Sequence, residues 1–144
     1  MKLTIPAEPQ PCHRHRSTRN GRIYPDPRNE HYAKIVQAAW MEAGRPSFGD
    51  KLLALGATFW LKRPKSHYRT GRYAGTLKDS APMRPRGKPD LDNLLKAILD
   101  NLNGCLYNDD AQVVCLSGVN KLYGEPRTEL TVWEASEYPI LKTA

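Results

Sequence analysis

Residues 88–114, KPDLDNLLKAILDNLNGCLYNDDAQVV, decide the fold and concentrate the acidic side chains of the chain. Apolar residues recur there at the three- and four-residue spacing of a helix with one buried face: Leu91, Leu94, Leu95, Ile98 and Leu102. Asp90 or Asp92 begins this helix, because aspartate is a favourable N-cap and the helix dipole stabilises a carboxylate at that end. Asn103-Gly104 ends it. The stretch therefore predicts a helix with an acidic start.

The carboxylates of this stretch occupy two places, the helix start and the turn after the helix. Asp109 and Asp110 form the second pair, and Lys96 lies one turn inside the helix from Asp92. Mg²⁺ is held by one or a few carboxylates together with water and phosphate oxygens. Such a metal would activate a water and offset charge on a phosphodiester, with Lys96 donating to the phosphate. The same spacing equally suits a structural role, as an N-cap, a surface ion pair and a turn.

The chain is basic, and its cations collect directly before the acidic stretch. It holds 22 Lys or Arg and 15 Asp or Glu, which gives a formal net charge of +7. Residues 62–88 hold nine bases against one acid, whereas residues 89–144 hold four bases against nine acids. A basic segment attracts polyanions through phosphate contacts, but neighbouring carboxylates repel them unless a cation intervenes. The pattern favours a metal beside a nucleic-acid phosphate.

Two basic segments are candidate DNA contacts. The first surrounds the tight-turn signal Asn20-Gly21. Its arginines are Arg14, Arg16, Arg19 and Arg22. The second is the long connection 62–88, whose tyrosines could stack on unpaired bases. Its candidate contacts are Lys65, Arg69, Arg72, Arg84, Arg86 and Lys88. Each segment could instead be a solvated loop, and we expect 62–88 to be mobile without ligand.

The whole sequence predicts one α/β (α+β) domain over residues 1–144. The predicted elements are, in order, a strand at 2–5, a helix at 29–43, a strand at 51–61, the helix after Asp90, and strands at 112–120 and 129–134. Gly56 suggests a bulge in the second strand, and the last two strands pair most simply as an antiparallel hairpin. Residues 136–144 form a tail. The order β-α-β-α-β-β suits a small mixed sheet with two packed helices.

Composition argues against a membrane protein and a disulfide framework. No apolar run approaches the roughly 18 residues of a membrane span, and the first ten residues lack the apolar stretch of a signal peptide. We therefore expect a cytoplasmic protein without membrane contact. Cys12, Cys105 and Cys115 have no CxxC spacing, which suits unpaired thiols in a reducing compartment. The run Cys12 to His15 could supply zinc ligands, but the sequence offers no second ligand cluster.

Two motifs, D-L-D-N-L-x-K at residues 90–96 and D-D-x-Q-V-V at residues 109–114, together resemble the RusA family of Holliday-junction resolvases, which are often prophage-encoded. The resemblance is close over residues 88–114. It is looser over the first strand with its basic loop, the first helix and the last two strands. It implies that the functional groups are Asp90, Asp92, Lys96 and Asp110. Asp109 is a further candidate ligand, and Asp100 a supporting residue.

The resemblance implies a homodimeric, Mg²⁺-dependent endonuclease, with Mn²⁺ able to substitute, in the cytoplasm of a bacterial host. Two sites related by a two-fold axis would place symmetric nicks across a four-way junction. The segment 62–88 is longer than in the shortest family members and resembles phage versions, so a phage or prophage source is expected. Two alternatives remain open: a broader nuclease acting on flaps, forks or other branched DNA, and a non-catalytic basic DNA-binding protein whose carboxylates are structural.

Overall fold

A computed structural model of the chain describes residues 1–13, 16–17 and 19–137. Its elements are, in chain order, β1 (Lys2–Ile5), β2 (Arg16–Ser17), β3 (Ile23–Tyr24), α1 (Pro27–Glu42), β4 (Leu53–Leu61), α2 (Leu91–Leu102), β5 (Val113–Leu116), β6 (Asn120–Tyr123) and β7 (Arg127–Glu134). The predicted α+β class, a mixed sheet with two helices, is confirmed. No helix within these ranges is long and apolar enough to cross a bilayer. From residue 138 onward the predicted tail lies outside the described residues.

Both helices begin at an aspartate, but the two side chains act differently. The buried carboxylate of Asp26 accepts from the Arg28 backbone N–H at 3.0 Å, so α1 begins two residues before the predicted start. Pro27 suits the first helical position because its ring fixes φ and its missing N–H is not needed there. Asp90 is the N-cap of α2, yet its side chain makes no capping hydrogen bond. The Asp90 carboxylate therefore does not cap the helix through a hydrogen bond.

β4 is the central strand of the main sheet. On one side it pairs antiparallel with β7, which in turn pairs antiparallel with β1. On the other side it pairs in parallel with β5 along its first half and with β6 along its second half. β4 is buried along nearly its whole length, as expected of a strand with both faces covered. Two short strands, arranged end to end, thus share one edge of β4.

The predicted hairpin between the last two strands is wrong. Residues 112–120 do not form one strand, because β5 ends at Leu116 and β6 begins only at Asn120. The turn after β6 crosses the end of β4, where the Gly124 N–H donates to the Leu61 carbonyl at 3.0 Å. β7 therefore pairs with β4 and β1 rather than with β6. Neighbouring strands usually pair, but here the long apolar β4 takes the place between them.

The bulge predicted at Gly56 is also wrong. The register between β4 and β7 runs without interruption through the pair Gly56 and Thr131. The register shift of β4 falls instead between Leu53 and Ala54, against β5. A Cβ atom on Gly56 would lie 2.6 Å from the Ser117 carbonyl oxygen. Gly56 thus makes room for the backbone that joins β5 to β6.

The two helices share one core with one face of the sheet. Alternate residues of β4 contribute to this buried cluster: Leu53, Leu55, Ala57 and Phe59. The predicted buried face of α2 is confirmed for Leu94, Ile98 and Leu102, whereas Leu91 and Leu95 are half-buried at its margin. The polar side of α2 is left exposed, and the candidate catalytic residues Asp92 and Lys96 lie on it.

Candidate active site

The first candidate carboxylates lie at the exposed start of α2. Asp90 is the N-cap, Asp92 lies in the first turn, and Lys96 follows one turn later. All three side chains are exposed, and none has a hydrogen-bond or ion-pair partner among the described residues. The surface ion pair between Asp92 and Lys96, which the spacing allowed, does not form. These charged groups are therefore available to a cation or a phosphate.

The proline-rich segment after β1 lies along α2. The Cys12 N–H donates to the Asn93 carbonyl at 3.3 Å, and the Cys12 Sγ is 4.0 Å from Asp100 Oδ2. Cys12 thus contacts α2 at two residues that lie about two helical turns apart. The proline-rich segment thus reaches the start of α2 just before the first basic segment begins in the sequence.

Two side chains fix the position of this proline-rich segment, residues 6–13. The Asn29 carboxamide accepts from the His13 N–H at 2.9 Å and donates to the His13 carbonyl at 2.7 Å. At the other end, Glu8 Oε1 accepts from the Lys62 N–H at 3.2 Å. The segment is therefore tied to α1 and to the end of β4 as well as to α2.

A pocket of about 770 Å³ lies beside Asp90. It is lined by residues 8–13 of the proline-rich segment, by residues 88–90 and Asn93 at the start of α2, and by Leu61 at the end of β4. Residues some eighty positions apart thus meet around one proposed catalytic carboxylate. The sequence analysis did not single out Glu8, Gln10 or Asn93, because nothing in their local pattern indicates this contact.

The two aspartates after α2 have different environments. Asp109 caps the 3-10 turn Asp110–Gln112, and its carboxylate accepts from the Ala111 N–H at 2.8 Å. Asp110 is half-buried, and its side chain has no hydrogen-bond or ion-pair partner in the described part of the chain. The Asp109 carboxylate thus has a structural function, whereas that of Asp110 remains available.

Gln112 fixes this acidic turn to the loop before β4. Its Oε1 accepts from the N–H groups of Asn108 and Asp109, both at 2.8 Å. Its Nε2 donates to the carbonyls of Gly49 at 2.6 Å and Lys51 at 2.8 Å. Sequence reasoning treated Gln112 only as a strand start and missed this positioning role. The sequence signal for this role was the position of Gln112 in the second motif, D-D-x-Q-V-V.

Tyr107 connects the acidic turn to the second half of α2. Its hydroxyl donates to the Leu99 carbonyl at 2.9 Å, and its ring is buried. Burial raises the pKa of Tyr107 far above its ordinary value, and the negative charges of Asp110 and Asp100 raise it further. The charges of Asp110 and Asp100 thus favour the neutral form of this buried phenol.

The structure does not bring the predicted metal ligands into one three-ligand group. Within residues 1–13, 16–17 and 19–137, no three His, Cys, Asp or Glu side chains lie close enough together to hold a metal ion. This also applies to Cys12 and His13 of the zinc alternative, while His15 lies outside these ranges. The donor chemistry at the start of α2 still fits Mg²⁺. Asp90 and Asp92 offer unengaged carboxylate oxygens, and Mg²⁺ needs only one or two carboxylates beside water and phosphate oxygens.

The predicted basic hairpin is confirmed in its backbone. β2 pairs antiparallel with β3 around the Asn20-Gly21 turn. Arg19 and Arg22 lie at this turn and are exposed. Arg16 is in β2, where its backbone alone is placed, and Arg14 lies outside the described residues.

Internal interactions hold the second basic segment, residues 62–88. Arg69 pairs with Asp79 at 2.8 Å, and the Arg72 guanidinium lies 4.7 Å from the centre of the Tyr73 ring. The Arg69 N–H also donates to the Thr76 carbonyl at 2.8 Å. The segment has a defined backbone path, and its mobility without ligand stays a prediction.

The end of this segment is attached to β6. Arg84 donates to Asn120 Oδ1 at 3.3 Å, and Lys121 Nζ donates to the Pro89 carbonyl at 2.9 Å. Three predicted contacts have exposed side chains without a partner among the described residues: Lys65, Arg86 and Lys88. Lys88 also lines the pocket beside Asp90, so one cation of the segment lies at the proposed site.

Fold and site together define a basic α+β protein whose unengaged carboxylates adjoin a surface that attracts polyanions, as expected of a nuclease. The family model for endodeoxyribonuclease RusA matches residues 6–133, and the chain therefore belongs to the RusA endodeoxyribonuclease family. The chain is also similar to YqaN, an uncharacterized protein of Bacillus subtilis (strain 168). The two are 34% identical over 140 residues, which cover 94% of this chain and 97% of that protein. The family resemblance predicted from the two motifs is confirmed.

Proposed function

We propose that the chain is a Mg²⁺-dependent, structure-selective endodeoxyribonuclease that resolves Holliday junctions in DNA recombination and repair. Membership of the RusA family supports DNA cleavage. The observation that carries the proposal is the start of α2, where Asp90 and Asp92 present carboxylates without a described partner. Lys88, which lines the pocket beside Asp90, and the other basic side chains directly before α2 would offset the repulsion that these carboxylates exert on a phosphodiester.

In this proposal the chain's own groups divide the work. Asp90 and Asp92 are the metal ligands at the start of α2. The family resemblance implies Asp110 as a third ligand, and Asp109 is the weaker candidate because its carboxylate caps the acidic turn. When bound, Mg²⁺ supplies a water of lowered pKa and a positive charge beside the phosphate oxygens. Lys96 donates to the phosphate or to the leaving oxygen, where charge increases during cleavage.

The basic side chains would bind the DNA backbone on both sides of this site. Arg19 and Arg22 extend from the hairpin, and Arg86 and Lys88 lead directly into the start of α2. Phosphate contacts of this kind fix orientation without reading sequence, and their strength falls steeply with salt. Selectivity for branched DNA would then come from the placement of several arms against these segments.

We also propose a homodimer that acts in the bacterial cytoplasm, with a phage or prophage source. A four-way junction has two strands of like polarity to cut, and one site per subunit about a two-fold axis suits that symmetry. A second candidate function is a broader activity on flaps and forks. The length of the 62–88 segment and its exposed Tyr73 favour that reading.

The proposal is tested with labelled four-way junctions, flaps, forks and linear duplexes incubated with Mg²⁺, Mn²⁺ or EDTA. Cleavage of the junction only with a divalent metal, at paired symmetric positions, is expected. Equal cutting of linear duplex would contradict the selectivity. Binding of the junction without cleavage in Mg²⁺ or Mn²⁺ would show that the chain is a non-catalytic DNA-binding protein. A plasmid cruciform distinguishes the dimer, because paired nicks give linear product whereas independent nicks give open circles.

A further inference from the structure

The pocket beside Asp90 has the composition of a nucleobase site. Pro9, Pro11, Pro89 and Leu61 give it apolar lining beside its polar residues. Its volume of about 770 Å³ falls within the range of roughly 300–1,000 Å³ that is typical of small-molecule sites. A planar base can lie against such a lining without the polar contacts that a phosphate requires.

The charge of the pocket favours a base over a phosphate. Glu8 and Asp90 both line it, against the single lysine Lys88. Glu8 stays negative when Asp90 holds Mg²⁺, and it would repel a phosphate placed inside the pocket, whereas an uncharged base would not be repelled. Phosphates are therefore expected outside the pocket, on the exposed cations around it.

Glu8 has one carboxylate oxygen left to recognise a ligand. Its Oε1 accepts from the Lys62 N–H at 3.2 Å, and its Oε2 has no hydrogen bond within the described residues. A carboxylate oxygen accepts from the exocyclic amino group of a base. Gln10 and Asn93 line the same pocket and offer amide donors and acceptors for the rest of the base edge.

The walls of the pocket are held by contacts within the chain. The Asn29 carboxamide makes two hydrogen bonds to the His13 backbone, and the Cys12 N–H bonds to the Asn93 carbonyl. A site whose walls are already fixed loses little entropy when it binds a ligand. The base would therefore have to come to the pocket, and a branch point supplies unpaired bases at low cost.

We propose that this pocket binds an unpaired nucleobase next to the cleaved phosphodiester, and that Glu8 selects a base with an amino group over thymine. The inference rests on the proposed nuclease function. Glu8, Gln10 and Asn93 are then specificity-determining residues, and the catalytic groups remain those at the start of α2. Base choice and strand cleavage are thus separate properties of neighbouring residues.

The first test uses branched substrates that differ only in the base beside the cut. The wild-type protein should cut substrates with adenine, cytosine or guanine faster than those with thymine. In Glu8→Gln this ratio should fall about 10-fold, because the amide keeps an acceptor for the Lys62 N–H but places a donor on the other side. The control Glu42→Gln changes an exposed residue at the end of α1 and should keep the wild-type ratio. An unchanged ratio in Glu8→Gln, with wild-type thermal stability, would overturn the proposal.

The second test does not depend on cleavage. Junctions carrying 2-aminopurine at successive positions near the branch are bound to the protein in EDTA. Fluorescence should rise at one position, because the base leaves the stack, and Asn93→Phe should abolish the rise by filling the pocket. No rise at any position would overturn the base site even if the protein cuts DNA. A rise in a protein that cuts nothing would support the base site and contradict the nuclease.

Discussion

Lys96 and Asp92 lie one helical turn apart on α2 without forming an ion pair. A lysine at this spacing usually contributes a few tenths of a kcal/mol through such a pair. Here the ammonium group is exposed and has no partner in the described part of the chain. Its position therefore suits an interaction with bound DNA better than a role in stability.

Replacing Lys96 should separate these two roles. Lys96→Ala should slow junction cleavage about 100-fold, because a donor to the charge that develops in the transition state is lost. Its denaturation midpoint should match the wild type. Lys34→Ala is the matched control, because Lys34 is an exposed helical lysine that pairs with Glu30 at 3.0 Å on α1. Single-turnover kinetics measure the cleavage rate of both variants. Cleavage by Lys96→Ala at the wild-type rate would mean that Lys96 is a solvated surface residue without a role in cleavage.

Local patterns predicted the residues of α2 well, because capping and helical periodicity act within a few positions. The same patterns could not separate Asp109 from Asp110, since the difference is one hydrogen bond to the Ala111 N–H. They also could not place Glu8 beside Asp90. That contact depends on the hydrogen bond from Lys62, at the end of a strand far along the chain.

At the scale of elements, α2 is predicted almost to its ends, whereas the pairing of β7 is not. The residues that cause α2 to form all lie within the helix, as one buried apolar face and one exposed acidic face. Strand pairing depends on competition for β4, which accepts β7 on one edge and two short strands on the other. The bulge predicted at Gly56 is wrong because a glycine is needed there for another reason. The Ser117 carbonyl of a neighbouring segment lies too close for a Cβ atom, and the local sequence does not show this contact.

The 3-10 turn that carries Asp110 should depend on Gln112. Gln112→Ala removes four hydrogen bonds: two from the N–H groups of Asn108 and Asp109 in the turn, and two to the carbonyls of Gly49 and Lys51. We expect a loss of about 1–3 kcal/mol in the free energy of unfolding, and slower cleavage because Asp110 is no longer held. Junction binding should change little. Urea denaturation measures the first effect, with the exposed helical residue Gln37→Ala as control; equal stability of the two variants would contradict the positioning role.

The basic segment 62–88 should contribute to affinity rather than to catalysis. Replacing Arg69, Arg72 and Arg84 together by glutamine should weaken junction binding and reduce the slope of log K against log salt by about 2–3, because each lost phosphate contact lowers it by about 0.9 or less. Fluorescence anisotropy over a salt series measures this slope. Lys34→Gln, outside both basic segments, should keep the wild-type slope. An unaltered slope in the triple variant would mean that the segment does not contact the DNA backbone.

At the scale of the whole molecule, the sheet topology brings distant segments to the start of α2. The chain leaves β1 into the proline-rich segment, which bonds to Asn93 and lines the pocket beside Asp90. The basic segment ends at Lys88, which lines the same pocket. Residues 8–13, distant in sequence, thus become neighbours of the carboxylates at the start of α2, and the local sequence pattern does not show this contact.

The proposed cleavage of branched DNA with Mg²⁺ depends on the carboxylates at the start of α2, and Asp92→Asn removes one of them. The measurement is cleavage of a labelled four-way junction in Mg²⁺, together with equilibrium binding of the same junction. Asp92→Asn should cut at least about 1,000-fold more slowly than the wild type, because a metal ligand is lost. It should bind the junction as tightly or more tightly, because a repulsive charge is removed, and it should unfold at the wild-type temperature. Cleavage by Asp92→Asn at the wild-type rate would contradict the account.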